Sequence, residues 1–93
     1  MNEKEYKDLI ASMGCIVTGQ PAEIHHVKCF FNGAGRVSDY LIIPLAPELH
    51  RNGNEAIHHN RSLFEMIHGR EIDLLAKTIK RVAEKLKQER IPF

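Results

Sequence analysis

One long amphipathic stripe constrains this chain more than any other feature. Ile72, Leu75, Ala76, Ile79, Val82, Ala83 and Leu86 recur at helical spacing, with Lys77, Lys80, Arg81, Glu84 and Lys87 set between them. The pattern predicts a C-terminal helix with a solvated charged face and an apolar face that has to close a core. In 93 residues the rest of the chain must supply the layer this helix packs on. A chain of this size buries only roughly 60% of its unfolded surface. That allows one modest domain, spanning 1–93. It excludes a Rossmann domain, a barrel or a two-domain catalytic cleft.

The segments before the stripe read as a mixture of short helices and strands. Asn2-x-x-Glu5 has the form of a capping box, followed by Tyr6, Leu9, Ile10 and Met13 at helical spacing and by Gly14 as a stop. Thr18-Gly19-Gln20-Pro21 predicts a turn, and Ala22 to Lys28 a short strand. After a loop at Asn32-Gly33-Ala34-Gly35, Tyr40-Leu41-Ile42-Ile43 reads as a second strand ended by Pro44. The two strands are expected to pair antiparallel. Pro47 suits the first turn of a helix through His50 and Arg51, which Asn52-Gly53 ends or breaks. A further helix is expected from Arg61 to His68, with Ser62-x-x-Glu65 as its capping box and Gly69 beyond its end. The fold class expected is therefore a small α+β domain.

Composition matters at one residue type. There are six histidines, in the pairs His25-His26 and His58-His59 plus His50 and His68, and five of the six lie between positions 25 and 59. Thirteen basic and twelve acidic side chains give a net charge of +1, so no strong overall field draws in a polyanion. A near-neutral chain that concentrates histidine in this way points to metal or proton chemistry. Cys15 and Cys29 belong to no Cys-x-x-Cys pair and read as reduced thiols of a cytosolic protein. No apolar run approaches a membrane span, and Met1-Asn2-Glu3-Lys4-Glu5 has no signal-peptide character. A cytoplasmic location in a bacterial or phage-infected host is expected.

With the histidines placed in the order strand, loop, strand, helix, the chain resembles an HNH endonuclease. Within that group it is similar to the phage recombination-enhancement (Ref-like) nucleases, which are RecA-dependent. The residues that carry the resemblance are Glu23-Ile24-His25-His26-Val27, Asp39-Tyr40-Leu41-Ile42-Ile43-Pro44-Leu45 and Glu48-Leu49-His50-Arg51-Asn52-Gly53. Ile57-His58 and Phe64-Glu65-Met66-Ile67-His68-Gly69 continue it, so that it covers most of residues 8 to 87. The resemblance implies a ββα-metal hairpin holding one divalent cation (Mg²⁺, Mn²⁺ or Zn²⁺) and hydrolysing DNA phosphodiester bonds. It implies His26 as the general base, with His25, His50 and His58 as metal ligands and His59 as the alternate to His58. Lys28, two residues past the base, is a candidate substrate contact. The implied partners are DNA and a RecA filament, in a phage or prophage setting.

The chain departs from the family pattern in two places. Many HNH domains hold a structural zinc between two Cys-x-x-Cys knuckles. Here Thr18 stands opposite Cys15 in the first, and Ala46 and Leu49 occupy the second, so a complete knuckle cannot form. Apolar packing of Ala46 and Leu49 is expected to replace it. The middle asparagine falls at Leu41, which leaves a backbone carbonyl or Asp39 to orient His26. Two other readings stand beside the nuclease: a degenerate HNH-fold binding or inhibitor module without hydrolysis, and a structural metal site with a closed coordination sphere. His59 and His68 are expected to face solvent. Arg36, Arg51 and Arg61 are read as solvated rather than as phosphate contacts.

Overall fold

The computed structural model describes residues 1–28 and 37–88. The expected glycine loop at positions 32–35, Cys29 and Arg36 lie outside the described residues. The architecture is α+β, in the order α1 (Glu3–Ser12), β1 (Glu23–His26), β2 (Ile42–Leu45), a helical turn (Glu48–Asn52), α2 (Arg61–His68) and α3 (Glu71–Gln88). None of the helices is long and apolar enough to cross a membrane, among the described residues.

The N-terminal signals work as written. The Asn2 side chain accepts from the Glu5 amide at 2.8 Å, and the Glu5 carboxylate accepts from the Asn2 amide at 3.3 Å, closing the capping box. The chain leaves α1 through Gly14 at φ +82°, where a Cβ would stand 2.9 Å from the Gly19 carbonyl oxygen. Only glycine fits there without displacing backbone.

β1 and β2 form an antiparallel pair in the register Glu23–Leu45, Ile24–Pro44, His25–Ile43 and His26–Ile42. Both strands differ from the expected bounds, and β2 runs through Pro44 instead of ending before it. The register explains why. The Val27 amide donates to the Leu41 carbonyl, so alternate pairs exchange hydrogen bonds and the Ile24–Pro44 pair between them does not. The amide that proline lacks would have pointed away from β1, and no rung is lost.

Two apolar clusters cover the two faces of this small sheet. On one side, Ile43, Leu45 and Leu49 pack with Phe64, Leu74 and Leu75. On the other, Ile42 packs with Ile10 of α1 and Val82 of α3. α3 therefore crosses from one cluster to the other along its length. Its buried face is Glu71, Leu74, Leu75, Thr78 and Val82, rotated from the stripe the sequence suggested. Ile72 and Ile79 are exposed. Leu74 takes their place in the core, and the Thr78 hydroxyl is tolerated there because it donates to the Leu74 carbonyl at 2.9 Å.

Two local expectations are corrected. α2 is capped by Asn60, whose side chain accepts from the Leu63 amide at 3.1 Å, and not by Ser62. The segment after Pro47 makes a single π-type turn, closed by the Gly53 amide on the Glu48 carbonyl. Gly53 ends it in extended backbone, as expected, and a Cβ there would stand 2.5 Å from the Glu48 carbonyl oxygen.

Candidate metal centre

The π-type turn and the loop that follows it bring two histidines together. The Ile57 amide donates to the Leu49 carbonyl at 2.8 Å and the His58 amide to the His50 carbonyl at 3.2 Å. This backbone pairing lays His58 beside His50. His25 joins them from β1, on the face that carries Ile43 and Leu45. The three rings meet in a triangle, with centroids 5.2 Å apart for His25–His50, 5.1 Å for His25–His58 and 4.6 Å for His50–His58. One nitrogen from each lies within 4.8 Å of the others. His58 occupies this position and His59 does not.

Two carboxylates fix the rings. His25 Nε2–H donates to Glu71 Oε2 at 2.7 Å, and Glu71, at the start of α3, is 1% exposed. The other Glu71 oxygen lies against the Arg61 guanidinium. His50 Nδ1–H donates to Glu23 Oε1 at 2.9 Å, while Arg51 grips both oxygens of Glu23, with Nε at 2.8 Å and Nη2 at 2.6 Å. The Arg51 and His50 donors hold the Glu23 carboxyl down at about 2. With Nδ1 committed, His50 keeps its lone pair on Nε2, which faces His58 Nε2 at 3.0 Å. Carboxylate-oriented imidazoles of this kind are the usual second layer around a protein-bound transition metal.

The electrostatics favour the neutral form of two of the rings, His25 and His58. Burial first, and then the Arg61 guanidinium, hold the His25 imidazole down at about 4. Burial followed by its His50 and His25 neighbours lowers His58 as well. A metal ligand must be an unprotonated imidazole, a condition His25 and His58 meet at neutral pH. Three converging nitrogen donors beside a cavity of about 430 Å³ fit a borderline divalent ion with room left for oxygen ligands.

His26 lies on the opposite face of the unbulged strand from His25, as alternation requires. Its Nε2–H donates to Asp39 Oδ1 at 2.8 Å, and Lys7 Nζ stands 3.6 Å from the second Asp39 oxygen. Asp39 thus supplies the orienting contact that Leu41 cannot. His26, His25, His50 and His58 nonetheless line one cavity. Lys28 and Arg61 complete its wall.

Other sequence expectations resolve as follows. Cys15, Ala46 and Leu49 are buried in one apolar cluster, where the knuckle ligands would have stood. The Val17 and Thr18 amides both donate to Cys15 Sγ at 3.4 Å. His68 does not face solvent: it packs on Phe64 at 5.1 Å between ring centroids and bonds Glu55 at 3.1 Å. Sequence reasoning missed the roles of Glu23, Glu71 and Arg61. Glu23 shares a strand face with His25 and could have been found by period-two alternation. Glu71, 46 positions from His25, gave no local signal.

Residues 1–85 match a family model described as "Protein of unknown function (DUF968)". No curated protein and no solved structure matches the chain.

Proposed function

The chain belongs to the DUF968 family, and from its site we propose that it is a metal-dependent DNA endonuclease of HNH type, built on a ββα-metal hairpin. The observation that carries this reading is the convergence of His25, His50 and His58 on one point, the first two oriented by carboxylates, with His26 on the same cavity. A divalent cation held by the three imidazoles would stabilise the charge that builds on the phosphate and leaving oxygens during hydrolysis.

The chain's own residues do the rest. His26 gives Nε2–H to Asp39, which leaves Nδ1 as the lone pair that takes the proton from the attacking water. Asp39 stabilises the imidazolium that results, and its carboxyl is lowered first by the His26 hydrogen bond. Glu71 and Glu23 hold His25 and His50 in the tautomers that leave Nδ1 and Nε2, respectively, without a proton. Lys28, on the cavity wall, faces the DNA backbone. The weak net charge fits a nuclease that receives its DNA on a RecA filament instead of gripping a duplex unaided.

The test is cleavage of plasmid and single-stranded DNA, with and without a RecA filament, across Mg²⁺, Mn²⁺ and Zn²⁺. His26→Ala is expected to lower the rate by about 10² to 10⁴-fold, the usual contribution of a positioned base. An unchanged rate in that variant removes His26 from the mechanism. No cleavage with any cation, while the metal still binds, assigns the fold to a binding module instead.

A further inference from the structure

The cavity wall carries two cations, and the hydrolytic scheme above uses only Lys28. Lys28 has no ion-pair partner among the described residues, and it lies on the wall beside His25 and His58. Arg61 enters the same wall from the first turn of α2. Its guanidinium is anchored on Glu71, the carboxylate that also orients His25, and lies 3.7 Å from Glu65. The arginine side chain is 45% exposed although its partner Glu71 is 1% exposed. An arginine recruited only to neutralise a buried acid would be covered along with it. This one lines the cavity with its side chain still partly exposed, and a guanidinium has five N–H donors to place.

From this we infer that Arg61, with Lys28, forms a phosphate-binding subsite beside the three histidines, and that Glu71 sets ligand and clamp in register through its two oxygens. The ligand class is a phosphodiester or phosphate monoester group, whose non-bridging oxygens match the guanidinium fork. The inference rests on the nuclease reading for the identity of that group as a DNA phosphate. Arg61 is a binding residue in this scheme, and Glu71 a positioning residue that acts through Arg61 and His25.

The probe is dimethyl phosphate, titrated by NMR into the full chain saturated with Zn²⁺. Arg61→Gln is expected to weaken its binding at least about tenfold, the loss of one or two charge-assisted hydrogen bonds, while Zn²⁺ affinity changes less than about threefold. Arg70→Gln is the control, since Arg70 pairs with exposed Asp73 away from the cavity. It is expected to bind as the wild type does. Should Arg61→Gln fail to fold with Glu71 left half-paired, Arg61→Gln/Glu71→Gln removes both charges and keeps the His25 hydrogen bond. It too is expected to lose dimethyl phosphate. Wild-type affinity in both Arg61 variants overturns the inference, as does an equal loss in Arg70→Gln. Arg61-dependent binding without any DNA cleavage leaves the subsite standing and removes the nuclease reading. Cleavage at the wild-type rate in Arg61→Gln does the reverse.

Discussion

At His25 two demands meet in one imidazole. It is 5% exposed, and it has to remain a hydrogen-bond donor to Glu71 while keeping a lone pair for a cation. Burial and the Arg61 charge answer the second by making protonation unfavourable, down to about 4. An unfolded histidine titrates near 6.5, so between those limits the unfolded chain binds a proton that the native chain refuses. Native stability is therefore complete above pH 6.5 and falls as the pH drops toward 4, by about 3 kcal/mol at the lower limit for His25 alone. His58, lowered for the same reason, acts in the same direction. Urea unfolding of the metal-free protein at pH 7.0, 5.5 and 4.5 should show this decline, and His25→Gln should flatten it. A wild-type profile that is flat across that window would mean that His25 is charged in the native state. The histidines were placed by the family resemblance, and Asp39 was one of the two alternatives named for orienting His26. The roles of the carboxylate partners Glu23 and Glu71 were not legible, because a second layer is set by tertiary approach and leaves no period in the sequence.

At the scale of elements, the helices were easier to see than their faces. The capping box that starts α1 is written in four consecutive residues, Asn2 to Glu5, and Arg61–His68 is bounded as expected. α3 was recognisable from its period alone, yet the stripe that gave it away is not the one that is buried. The apolar residues on α3 span a sector wider than the core can cover, so packing had to choose. It chose the side holding Leu74 and Leu75, because Glu71 on that side must reach His25. The consequence is an asymmetry between neighbours. Leu74→Ala should cost about 2–5 kcal/mol, the range for truncating a buried leucine, whereas Ile79→Ala, at 52% exposure, should stay within about 0.5 kcal/mol. Denaturant midpoints of the two variants at one pH decide it. Equal losses would restore the stripe read from sequence and displace Glu71 from the site. β2 teaches the same lesson from the other side. Pro44 looked like a terminator, and only the pairing register reveals that its missing amide falls where no rung is needed.

Across the whole molecule, the proposed ligands come from three segments: β1, the π-type turn and the loop before α2. Among the described residues the sheet has two strands, and each of its faces depends on a different cluster. A cation bound by His25, His50 and His58 would cross-link strand, turn and loop at the edge of the larger cluster. Since the unfolded chain cannot assemble the site, binding free energy becomes folding free energy. At a free cation concentration a hundredfold above its dissociation constant the gain is about 2.7 kcal/mol. In a domain of this size each kcal/mol raises the melting temperature by roughly 4–8 °C. The melting temperature at pH 7 should therefore rise by roughly 10–20 °C on saturation with Zn²⁺ and return to its starting value with a chelator. His50→Ala should abolish most of the rise, and His59→Ala, one residue beyond the site, should leave it intact. A rise that survives His50→Ala places the cation elsewhere in the molecule. No rise in the wild type means that the three rings converge without binding, and the metal-dependent reading of this fold then fails at its first step.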